Sequence, residues 1–330
     1  MEKQSNGVSR RDFMKQAAIG AAGAASMEFL SPVSSTAAEA GMPFRILGKT
    51  GMKVSLLTFG GGSQFLENKD GVWEPMLEKA VAEGVNLFDT APSYHWNYPQ
   101  ASEDRFGAIL APYRNRIYLS TKMDSRDVTT ALSEFERSLQ RLKTDYVDLL
   151  LIHDVNNNDS FSAVERGVYK EAVRLKEEGA ARFIGFSSMS SAIRSKEFIE
   201  AMDFDVVILA LTPTLYGDYA ATPLPAARER NIGVLGMKVM RNVVGANAAP
   251  KELLEYVWNL SGVATTLVGH IGMATFEENL QIAKTYGASK IKDSYRYSMQ
   301  KEELEKRLAH LATPDALCWA NSDYRDRKWC

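Results

Sequence analysis

Cysteine is nearly missing from these 330 residues: Cys318 and Cys330 are the only two. They are too few for a disulfide framework or a thiolate-held cluster, and leave open a single bridge between them. A surplus of one charge is missing too. The formal net charge of −2 gives no electrostatic basis for binding nucleic acid. Histidines and acids nowhere fall into a metal-ligand spacing, so no metal site is expected. Beyond the first forty residues no apolar run is long enough to cross a bilayer, which excludes a stable membrane anchor there. The Gly-x-Gly-x-x-Gly turn of an open dinucleotide-binding sheet is absent, since the glycines at 60–62 are consecutive. What is present is a chain 45% hydrophobic, with ample material for one large core.

The first forty residues differ from the rest. A basic head, Ser9 to Lys15, precedes a stretch rich in alanine and glycine and then small residues at Ala38 and Ala40. Charged head, mildly apolar middle and a small-residue end describe an export signal. Arg10 and Arg11 followed by Phe13, with a weakly hydrophobic middle, resemble a twin-arginine (Tat) signal, read by the Tat translocase, which moves folded proteins across the bacterial inner membrane. No cysteine sits at the expected cut, which argues against a lipid anchor. The expected organisation is a signal peptide over 1–40, a barrel over 41–292, and a C-terminal helix and tail over 293–330, with the mature protein in the periplasm.

From Phe44 to Ser55 the chain reads as a short β-hairpin around a glycine-containing turn. Eight apolar runs follow: LLTFG, VNLFD, IYLST, YVDLLLI, FIGFS, VVILAL, IGVLGM and TTLVG. Most are separated by segments of helical period, such as Leu132, Phe135, Leu139 and Leu142, or Val164, Val168, Ala172 and Leu175. Gly84 and Gly179 stand where helices stop just before a strand. Eight strands alternating with helices predict a (β/α)8 TIM barrel, the hairpin at its start and a helical extension at its end.

Three of the runs end in groups able to ionise, Asp89, Lys122 and His153. In a parallel barrel all strand C-termini point one way, so these residues converge although far apart in the chain. Alone, Asp89 reads as a helix N-cap and His153 as a core histidine. Lys122 at the end of a buried strand needs a partner, and with it the set becomes a candidate active site. Tyr94 adds a phenol, a poor acid near neutrality with a pKa of about 10. An ammonium about 4 Å away favours the phenolate by on the order of 4 kcal/mol at an effective dielectric of 20. A carboxylate keeps such a lysine charged, and a histidine beside them orients a carbonyl oxygen. His95, Trp96 and Tyr98 are pocket-wall or loop aromatics, and His270 and His310 read as surface or tail residues.

These residues sit in DTAPSY (89–94), STK (120–122), DYVDLLLIH (145–153) and GFSS (185–188), which resemble the motifs of the aldo-keto reductase family. LGKTGMKVSLLTFGGG near the start and GHIGMATFEEN (269–279) extend the likeness from about Phe44 to Tyr286. The resemblance implies nicotinamide-dependent interconversion of a small carbonyl and an alcohol. It makes Tyr94 the proton donor, Lys122 its partner, Asp89 the lysine's counter-ion and His153 the carbonyl orienter. For the cofactor it implies Gly60 and Gly61 beneath the nicotinamide ring, Ser187 and Ser188 on its carboxamide, Lys238 on the phosphates, and Glu278 and Asn279 facing adenine. Two positions depart from the family pattern: Ile208 stands where a glutamine is usual, and Met237 stands where an aromatic often stacks and would pack on the cofactor instead. The segment HIGMAT (270–275) is neutral apart from His270, which leaves NADP or NAD open. Two other readings stand beside this one. A nicotinamide-binding barrel without turnover keeps the fold and the cofactor. A sugar hydrolase needs two facing carboxylates, has only Asp89 and Asp154 to offer, and leaves Lys122 without a part.

Overall fold

Apolar runs buried on both faces make parallel strands, and parallel strands need crossover helices to cover them. The computed structural model describes residues 41–95, 98–245, 247–288 and 294–320; the expectations for residues 1–40, Trp96 and Cys330 fall outside these. Strands β1 (Phe44–Ile46) and β2 (Lys53–Ser55) pair antiparallel as the expected hairpin. Then β3 (Leu57–Gly60), β4 (Leu87–Asp89), β5 (Tyr118–Met123), β6 (Val147–Ile152), β7 (Ala181–Ser188), β8 (Val206–Ala210), β9 (Gly233–Met237) and β10 (Val263–Val268) close a barrel in chain order, with β10 returning to β3. All eight neighbouring pairs are parallel. The eight predicted runs are these eight strands.

The covering helices are α1 (Trp73–Ala82), α2 (Ser102–Leu110), α3 (Val128–Leu142), α4 (Lys170–Glu177), α5 (Ala192–Ala201), α6 (Pro223–Glu229), α7 (Pro250–Trp258) and α8 (Met273–Ala288). Their ends follow from local chemistry. Asp127 caps α3 by accepting from Thr130 N at 2.9 Å, leaving fewer unpaired amides in its first turn. Gly179 ends the turn after α4 with φ of 77°, which a side chain would resist. Val164, Val168, Ala172 and Leu175 are buried, as their spacing predicts. A further helix, α9 (Ser294–Leu308), forms the C-terminal extension, with Leu304 and Leu308 buried.

Side chains alternate across a strand, and this alternation decides what faces the barrel interior. Phe59 on β3 and Phe88 on β4 point outward, where they meet Phe106 of α2 at 6.1 and 5.9 Å between ring centres. Gly60 and Asp89 therefore point inward. On β5, Thr121 donates outward to Glu103 of α2 at 2.7 Å, so Ser120 and Lys122 face inward. His153 continues the inward row of Leu149 and Leu151, and its amide extends the β5–β6 ladder by donating to Met123 O at 3.0 Å.

Candidate active site

Register brings the inward groups together. Asp89 is opposite both Gly60 and Ser120, so its carboxylate lies within reach of β5. Ser120 Oγ donates to Asp89 Oδ1 at 2.7 Å. Lys122 Nζ donates to Asp89 Oδ2 at 2.7 Å and to Thr90 O at 2.6 Å. The Lys122 side chain is 2% exposed, and its Nζ lies 4.9 Å from the centre of the Tyr94 ring. A cation that close to an aromatic face is attracted to it. Tyr94 meets the His153 ring nearly edge-on, with centres 5.7 Å apart. Asp89, Tyr94, Lys122 and His153 thus surround one end of a cavity of about 670 Å³.

His153 has an ionised neighbour, Asp124, which contacts its Nδ1 through Oδ1. The other oxygen of Asp124 accepts from Ser93 N at 2.8 Å. Burial pushes the Asp124 carboxyl up, but the adjacent His153 ring and the Ser93 hydrogen bonds outweigh it and hold the group well below the usual carboxylate range.

The cavity continues along β7 to β10. Of the expected cofactor residues, Gly60, Ser187, Met237, Lys238, Glu278 and Asn279 line it, together with Ile208, in a single space shared with the tetrad. Gly61 and Ser188 lie behind the wall. Each follows an inward-facing neighbour on a strand or its continuation, so each points outward. Gly61 donates its amide to Asp89 O at 2.8 Å, and a Cβ there would come within 2.3 Å of Ser102 Oγ. Ser188 donates to Val155 O at 2.7 Å and shares a 3.0 Å hydrogen bond with Tyr219 Oη.

His270 corrects the sequence reading: it is buried, 1% exposed, between Phe59 and Phe276 at 5.6 and 4.9 Å. Burial drives its pKa down to about 3, so the ring is neutral. The strand run TTLVG gives no hint of this, because both phenylalanines come from other elements.

Arg241, which donates to Ser63 Oγ at 3.0 Å, joins the loop after β9 to the loop after β3 beside the cavity. The C-terminal extension reaches that same loop. Trp319, 1% exposed, packs against Tyr216 at 5.6 Å and lies 6.0 Å from Lys238 Nζ, and Cys318 Sγ lies 3.2 Å from Asn242 Oδ1.

These groups fit a nicotinamide dinucleotide. Ile208, Met237, Leu267 and Val268 offer apolar surface for flat rings, Lys238 and Arg241 offer cations for a pyrophosphate, and Ser187 offers a hydroxyl near the tetrad. Comparison with known proteins agrees. The sequence profile of the aldo/keto reductase family matches residues 57–309. The chain is 24% identical over 281 residues to L-galactose dehydrogenase of Arabidopsis thaliana, covering 82% of this chain and 84% of that one. It is 27% identical over 255 residues to D-threo-aldose 1-dehydrogenase of a Pseudomonas species, covering 68% and 74%. Among solved structures, aldo-keto reductase AKR11C1 from Bacillus halodurans shares the fold, with a TM-score of 0.64, 20% identity, and coverage of 80% of this chain and 96% of that one. A closed eight-stranded barrel, a buried lysine–aspartate pair under a tyrosine, and a match across most of the sequence converge: this chain belongs to the aldo/keto reductase family and is an NAD(P)-dependent oxidoreductase.

Proposed function

We propose that the protein interconverts a small carbonyl compound and its alcohol, with Tyr94 as the proton donor. The observation that carries this is the placement of Lys122 Nζ, held by Asp89 and 4.9 Å from the Tyr94 ring centre. When bound, a nicotinamide supplies the hydride for the carbonyl carbon, or takes it from the alcohol. Tyr94 passes its hydroxyl proton to the carbonyl oxygen. Lys122 stabilises the phenolate left behind. His153 faces the same oxygen through Nε2, donating to it when the ring is protonated, and fixes its position. Asp89 keeps the ammonium in place and charged, and is too deeply engaged with Lys122 and Ser120 to act as a hydrolase acid. Ser187 orients the nicotinamide, Lys238 and Arg241 hold the pyrophosphate, and Glu278 and Asn279 flank the base. Because two relatives are named for aldose oxidation, polyhydroxy aldehydes and aldoses are the first substrates to try.

The preferred nucleotide in this reading is NAD. His270 is neutral and 271–275 carries no charged side chain, so a 2′-phosphate would meet little compensating charge on that wall. For residues 1–40 the reading is twin-arginine export, supported by Arg10, Arg11 and the small-residue stretch after them. Export of a folded barrel allows the nucleotide to be loaded beforehand.

Tyr94→Phe tests the catalytic role. Carbonyl reduction should fall by about 10²-fold or more while nucleotide affinity stays within about threefold; undiminished turnover would remove Tyr94 from the reaction. Cell fractionation tests export: the wild-type protein should reach the periplasm with nucleotide bound, and an Arg10→Lys, Arg11→Lys variant arriving there equally well would refute the signal.

A further inference from the structure

Asp124 is an ionised group against the active site to which the tetrad gives no part. It stands two residues beyond Lys122, on the inward side of the β5 continuation. Its two oxygens make two different connections, one to His153 Nδ1 and one to Ser93 N. Ser93 directly precedes Tyr94, so a single carboxylate joins the histidine to the turn that carries the tyrosine. Asp124 is itself held in place. Its backbone amide and that of Ser125 both donate to Glu134 Oε2 of α3, at 3.2 and 3.1 Å. On the opposite side of His153, Arg126 donates to the histidine carbonyl at 2.9 Å while paired with Asp159, which anchors the backbone of the ring.

A neutral imidazole has one nitrogen that donates and one that accepts. The nitrogen facing an ionised carboxylate must carry the proton. With Asp124 against Nδ1, Nε2 is the nitrogen that can serve the reacting oxygen, as an acceptor when the ring is neutral and as a donor when it is protonated. Without that carboxylate, the ring loses the charge that holds its proton on Nδ1 and the contact that ties it to the Tyr94 turn.

We propose that Asp124 is a positioning residue for carbonyl–alcohol interconversion: it fixes the proton of His153 on Nδ1 and holds His153 and the Tyr94 turn in one geometry. The proposal rests on the reading of Tyr94 as proton donor, and Tyr94→Phe tests that reading separately. If Tyr94→Phe keeps full activity, the catalytic reading fails whatever Asp124 does.

Asp124→Asn keeps the shape and removes the charge. Carboxylates that orient a histidine from behind are worth from about tenfold to 10⁴-fold in activity, so kcat should fall by at least about tenfold, with nucleotide affinity within about threefold of wild type. In ¹⁵N spectra of the wild-type protein, at a pH where the ring is neutral, His153 should show its proton on Nδ1; in the variant that signature should move toward the Nε2–H form. A kcat within about threefold of wild type, or an unchanged His153 spectrum in the variant, overturns the proposal. Should the variant fail to fold, the wild-type spectrum still decides, because a proton on Nε2 of the neutral ring contradicts the assignment.

Discussion

The Lys122–Asp89 pair is closed off from water on both sides, with side chains 2% and 1% exposed. Such a pair adds little net stability, since desolvation offsets most of its attraction, but breaking it leaves a buried charge alone. Asp89→Ala is therefore expected to destabilise the protein by about 3–5 kcal/mol, measured by denaturant unfolding; a loss below about 1 kcal/mol would mean that Lys122 finds another partner. His270 gives a second residue-scale prediction, through pH. Its ring stays neutral in the folded state down to about 3, against an ordinary value of 6.5. Between those values the unfolded chain binds a proton that the folded chain does not, so stability is lost as pH falls through the window. From about pH 6.5 to 4.5 the loss is roughly 2–3 kcal/mol. His270→Leu should remove that part of the acid slope in unfolding measurements; parallel pH curves for the two proteins would show that the ring titrates normally.

At the scale of the element, strand alternation separates neighbours that the sequence pairs. Ser187 faces the cavity and Ser188 the surrounding helices, where it bonds Val155 O and Tyr219. Ser187→Ala should weaken nucleotide binding by about three- to tenfold, the worth of one hydrogen bond, while Ser188→Ala should leave affinity unchanged and reduce stability by about 1–2 kcal/mol. The opposite pattern in a titration would reverse the assignment of the two faces. The same alternation explains what could be read in advance. The strands are legible because each is a continuous apolar run, and Asp89, Lys122 and His153 because each stands at a run's end. That the side-chain positions of Gly61 and Ser188 point away from the cavity emerges only when the face each occupies is counted along its strand. Asp124 is hidden because its meaning lies in contacts with His153 and Ser93, from two other segments. His270 is hidden because Phe59 and Phe276 reach it only once β10 closes on β3.

Within the unit that contains the barrel, the C-terminal extension folds back onto the mouth. α9 packs on α7 through Tyr256 Oη, which donates to Glu305 Oε1 at 2.9 Å, and through the Arg307–Glu252 ion pair at 2.7 Å. Farther on, Trp319 fills a gap between Tyr216 and Lys238. Trp319→Ala should cost about 3–5 kcal/mol in stability and speed nucleotide release, because the loop bearing Lys238 and Arg241 loses its backing. Release followed by fluorescence checks this, and an unchanged rate would confine Trp319 to a packing role. The neutral wall at 270–275 makes a prediction for the complete site: NADP should bind at least about tenfold more weakly than NAD, a difference of about 1.4 kcal/mol, and equal affinities in a calorimetric titration would show that Lys238 or Arg241 meets the 2′-phosphate.

All of this chemistry depends on an ammonium stabilising the phenolate of Tyr94. Single-turnover hydride transfer in Lys122→Met, with nucleotide binding measured on the same sample, probes that directly. The expected result is a fall of at least about 10²-fold in the transfer rate with affinity changed by less than about threefold; a transfer rate within about threefold of wild type would contradict it.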